Sequence, residues 1–107
     1  MANLIEYDKP FLFAGTVLRF VGEYPFHGKP VHFMICDYHA QDTDRCPFAL
    51  YCVSGYHAGS LEYVFPKEAM AENVKGIKTE WLKDNWNSKV YDGCPIENVE
   101  VIEEWQE

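Results

Sequence analysis

Residues 48–66, FALYCVSGYHAGSLEYVFP, constrain this chain more than any other stretch. Leu50, Cys52 and Ser54 alternate with Ala49, Tyr51 and Val53. Gly55 and Gly59 then bracket a turn of Tyr56, His57 and Ala58, and Leu61, Tyr63 and Phe65 resume the period of two. Pro66 has no N–H for a ladder and ends the pattern. Few polar residues interrupt either face, which predicts a β-hairpin inside a sheet, with strands beside it and a cover over it.

The rest of the chain must supply those neighbours and that cover. At 107 residues it is read as one domain, residues 1–107, large enough for its own core. Aromatic residues make up 16% of it, and tyrosines and tryptophans also anchor interfaces, so some of them are available to a partner. The formal net charge is −8 and is unevenly placed: residues 67–89 carry 5 lysines, whereas residues 90–107 carry 6 acids and no base. Nucleic acid or an anionic membrane would require clustered Lys and Arg, so neither is expected as the direct partner. A basic protein fits this balance better, with solubility alone as the plainer explanation of the acidity.

Cys36, Cys46, Cys52 and Cys94 form no C-x-x-C pair, which leaves no zinc-ribbon or redox signature; Cys36 and Cys52 read as core residues. The first residues lack the basic and apolar regions of a signal peptide, and no apolar run reaches membrane-span length. A cytoplasmic protein with reduced thiols is expected.

In chain order, residues 11–23 read as a long first strand with a bulge near Gly15 or Gly22, and residues 31–38 as a second. A polar, acidic loop over residues 39–47 leads into the hairpin. After Pro66 the period changes. Residues 67–73 have the composition of one or two helical turns, and Thr79 is placed to cap a helix over residues 80–86, with Trp81, Leu82, Asn85 and Trp86 on one side. Residues 92–95 signal a turn, and residues 98–105 a last strand, with Val99, Val101 and Trp105 opposite Glu100, Ile102 and Glu104. The expected fold is α+β: a single antiparallel sheet of about five strands, a meander plus a C-terminal strand, covered by one or two short helices. The partner of the last strand is not fixed by the sequence.

This order decides which chemistry-bearing residues can meet. Tyr-His-Ala occurs twice, but successive antiparallel strands end at opposite edges, so His39 and His57 would stand on the order of 27 Å apart. His27, His32 and His57 fall toward one edge, near Cys52; a metal or ligand site there is conceivable, although the spacing matches no zinc pattern, and turn histidines are the plainer explanation. Ser54, Ser60 and Cys52 lie near His57 without a G-x-S-x-G elbow or an orienting acid. At the opposite edge, Asp37, Tyr38, His39, Asp42 and Asp44 interleave carboxylates with an aromatic ring and an imidazole, a set suited to covering a basic cleft. Asp42 and Asp44 lack the glycine and closing glutamate of an EF-hand loop.

Four segments carry a resemblance: HFMICDYH at 32–39, YCVSGYHAG at 51–59, YVFPKEA at 63–69 and EWLKDNWN at 80–87. Over most of residues 10–105 the chain resembles the small cytosolic immunity proteins of bacterial polymorphic toxin systems, including contact-dependent growth inhibition. The resemblance implies a non-enzymatic protein that binds one cognate toxin domain and occludes its active site; separately, no cofactor or metal is expected. Many such toxins are basic nucleases, which agrees with the charge. No family-wide binding residues carry over, so the expected contacts come from the acidic segments: Asp37, Tyr38, His39, Asp42 and Asp44 in the loop, and Glu100, Glu103 and Glu104 at the C-terminus. Two alternatives stay open: a small enzyme or metal- or ligand-binding domain using the His27, His32 and His57 edge, and a subunit of a homo-oligomer.

Overall fold

A computed structural model describes residues 2–21, 30–38, 48–55, 58–70, 76–91 and 95–103. Its elements are β1 (Ala2–Asn3), β2 (Phe11–Leu12), β3 (Val17–Val21), β4 (Pro30–Asp37), β5 (Phe48–Cys52), β6 (Leu61–Val64), β7 (Ile77–Lys78), α1 (Thr79–Asn85) and β8 (Glu100–Ile102). Single 3-10 turns stand at Leu4–Glu6, Lys67–Ala69 and Ile96–Asn98, and a π-turn at Trp86–Val90 extends α1. One sheet runs in the order β1-β8-β3-β4-β5-β6, and β2 pairs with β7 in a separate ladder; all pairings are antiparallel. The molecule is therefore the expected α+β meander of antiparallel strands with a short helical cover.

The C-terminal strand β8 lies beside β3, with Val17 opposite Ile102 and Arg19 opposite Glu100, and its other side takes β1. The chain ends are thus stitched together. Leu4 N donates to Val99 O at 2.7 Å, and the Asn3 side chain donates to Glu97 O while accepting from Ile5 N.

Alternation along the strands separates two faces. Leu18, Phe20, Val31, Phe33, Ile35, Phe48, Leu50, Cys52 and Val101 belong to one buried cluster with Leu82 and Trp86 of the helical segment. Aromatic edges lock this layer: Phe20 meets Phe33 at 5.0 Å and Trp86 at 5.3 Å, and Trp81 packs on Tyr63 and Phe65. Both indoles of the helical segment lie against the sheet, as the spacing predicted.

Five expectations are corrected. The first strand is not continuous over residues 11–23: a turn after Leu12 splits it, and β2 leaves to pair with β7. Gly15 sits at φ 95°, a conformation only glycine adopts without strain, and its N–H donates to Ile35 O at 2.8 Å. Apolar residues on both sides of that glycine hid the break. Within the hairpin, β5 is interior but β6 is the edge of the sheet, consistent with Leu61 being exposed. Residues 67–73 form only a 3-10 turn over Lys67–Ala69 among the described residues. Finally, Thr79 does not cap α1; it is the first helical residue, its N–H is drawn to Pro10 O at 3.0 Å by the β2–β7 ladder, and its side chain turns inward. The last strand begins later than residue 98, because the turn at Ile96–Asn98 occupies its start, and it runs over Glu100–Ile102; residues 104–105 of the expected strand lie outside the described residues.

Candidate functional site

Asp37 is the final residue of β4, exposed and paired with Phe48, and half-buried Tyr38 follows it. His39, Asp42 and Asp44 lie outside the described residues, as does Glu104. Because β4 and β8 both run antiparallel to β3, their C-terminal ends point the same way. The two sequence-distant acidic segments therefore emerge at one end of the sheet, two strand spacings or about 10 Å apart in the pairing direction.

Glu100 and Glu103 do not share a face. Glu100 Oε1 accepts from Arg19 Nη1 at 3.0 Å across the β8–β3 pair, half-exposed on the side away from α1. Glu103 turns toward the helix-covered side, where both of its oxygens accept from Lys9 Nζ at 2.8 Å and one lies 3.4 Å from the Tyr7 hydroxyl. The hydrogen bond from Lys9 holds the Glu103 carboxyl below the usual carboxylate range and raises the Lys9 ammonium in turn. Burial, then the charge of Glu103, pushes the Tyr7 phenol up. Both glutamates thus meet an internal cation in the free chain.

Of the histidine edge, His27 and His57 lie outside the described residues. His32 Nδ1 stands 2.8 Å from Ser54 Oγ, a contact the sequence reading missed because it paired Ser54 with His57 instead. Burial, followed by the charge of Arg19, lowers the His32 pKa. Among the described residues no group of three His, Cys, Asp or Glu side chains could hold a metal ion. Cys52 is buried and Cys36 half-buried; both thiols are free, and burial raises both pKa values.

The second face of the sheet was not singled out from the sequence. Pairing sets Ile102, Val17, Met34, Tyr51 and Leu61 in one row across five strands, with Glu100, Arg19 and His32 beside it and Cys36, Ala49 and Val64 on its other flank. The signal was present in the alternation of Arg19 with Val17 and Val21, and of His32, Met34 and Cys36 along β4. A groove of about 530 Å³ also opens between residues 7–11 and α1, lined by Tyr7, Lys9, Thr79 and Lys83 among others. Lys83 Nζ is committed there to the carbonyls of Ile5 and Tyr7.

One face of the antiparallel sheet is sealed by a helix, and the other presents Arg, His, Met and Tyr side chains. The chain belongs to the Immunity protein 45 family, whose model matches residues 4–101 and so takes in the sheet from the first 3-10 turn to β8. It is thereby one of the immunity proteins of polymorphic toxin systems, a class that is generally non-enzymatic and neutralises toxins. No curated protein and no solved structure matches the chain. No helix among the described residues is long and apolar enough to cross a membrane.

Proposed function

We propose that this protein binds one cognate toxin domain in the cytoplasm and occludes its active site, and that the toxin domain is basic, a nuclease being the chemistry an acidic inhibitor suits best. The family match over residues 4–101 carries the toxin-neutralising part of this reading. The net charge of −8, together with the exposed Asp37 at the start of an acid-rich segment, supports the cationic partner. Asp37, Tyr38, His39, Asp42 and Asp44 are the proposed loop contacts, with Glu100, Glu103 and Glu104 as a second set. Glu100 and Glu103 would exchange Arg19 and Lys9 for cations of the toxin, or share them.

The test is rescue. If a large secreted protein with a variable C-terminal domain is encoded beside this gene, that domain should arrest growth when expressed alone, and growth should return on co-expression of this chain. Persistent arrest, with both proteins present and soluble, would count decisively against neutralisation. Among the described residues, the His32–Ser54 contact is the observation that favours a ligand site instead. That alternative requires binding or turnover of a small molecule by the isolated chain that His32→Ala abolishes.

A further inference from the structure

We propose that the sheet face turned away from α1 is the surface on which the toxin domain docks, centred on Met34 and Tyr51. The inference rests on the toxin-neutralising reading and adds the face and the anchors.

The central row of Ile102, Val17, Met34, Tyr51 and Leu61 is apolar across four strand spacings, about 19 Å wide. Val17 and Ala49 are fully buried, yet neither belongs to the core cluster under α1, so they form a floor on the opposite side. Above that floor Met34, Tyr51 and Ile102 stay half-exposed, and Val21 and Leu61 are 53% and 45% exposed at its margins. No helix or strand among the described residues lies across this face. Tyr, Met and Arg are the residue types enriched where interfaces bury most area, and this face offers all three.

Charge selects the occupant. The formal charges on the described residues of this face are Arg19 and Glu100, which are bonded to each other, and His32 is held toward its neutral form. A neutral patch thus sits on a chain of net charge −8. Two copies joined through this face would each carry that net charge of −8, and their repulsion opposes association. A domain with an apolar centre and a cationic rim is complemented at both. The Arg19–Glu100 pair would become buried on docking, which penalises any partner that fails to satisfy it.

The experiment measures binding of the C-terminal toxin domain to the full-length chain and to Met34→Arg, Tyr51→Ala and Ile5→Arg. Ile5 is an exposed apolar residue off this face. Circular dichroism and an unfolding midpoint confirm folding of each variant, and Tyr51→Ala, a truncation of a half-exposed side chain, decides the matter if Met34→Arg fails to fold. Loss of roughly 30-fold or more in affinity at the face positions, with Ile5→Arg binding normally, is the expected result. Wild-type affinity in folded face variants would overturn the docking surface and leave neutralisation intact. No binding by the wild-type chain would bring down both. A wild-type dimer in solution that Tyr51→Ala splits into monomers would assign the face to a second copy and likewise overturn the proposal.

Discussion

Thr79 keeps only 2% of its surface exposed, and its Oγ1 has no hydrogen-bond partner among the described residues. A buried hydroxyl without a partner loses its hydration and regains nothing. Thr79→Val keeps the shape and removes the orphan, so it should raise stability by about 1 to 2 kcal/mol, read as a higher urea midpoint at unchanged slope. A lower midpoint would mean that the hydroxyl is satisfied. The sequence pointed to Thr79 as a helix cap because threonine before an acidic, apolar run is the common pattern. What it could not show was that β7 runs straight into α1, which commits the Thr79 N–H to Pro10 and leaves the side chain inside.

At the scale of elements, α1 is seven residues long, too short to hold itself helical in water. Packing sustains it: Leu82 and Trp86 are fully buried against the sheet, with Phe20 and Tyr91 against the Trp86 indole. The π-turn after it, closed by Tyr91 N to Trp86 O at 2.8 Å, accommodates that ring. Trp86→Ala should therefore cost about 3 to 5 kcal/mol in urea unfolding, enough to leave many domains of this size marginal. A loss below about 1 kcal/mol would show that the helix is held elsewhere. The helix's inward side was legible in the spacing of Trp81, Leu82 and Trp86. Whether one helix or two would form the cover was not legible, since residues 67–73 also have helical composition. The split of the first strand at Gly15 was not, because a positive φ leaves no mark on hydrophobic alternation when both flanks are apolar.

Across the whole molecule, the net charge of −8 should act first on encounter. Asp37→Asn combined with Asp42→Asn should slow association with the toxin domain several-fold at low salt and flatten its dependence on ionic strength, with little change in dissociation. An unaltered association rate in stopped-flow mixing would exclude the loop from steering. This effect is separable from the sheet face, whose apolar anchors should govern dissociation instead. By itself the amino-acid sequence determined the α+β class, the antiparallel meander, the faces of β4 and β5 and the helix that seals one of them, because these follow from periodicities of two and 3.6 within single segments. Only the tertiary structure decided that β8 lies beside β3, that Arg19 meets Glu100 and His32 meets Ser54, and that the acidic segments leave one end of the sheet. Such pairings join residues far apart in the chain, 81 positions for Arg19 and Glu100, and their register is chosen by the shared core rather than by any local pattern.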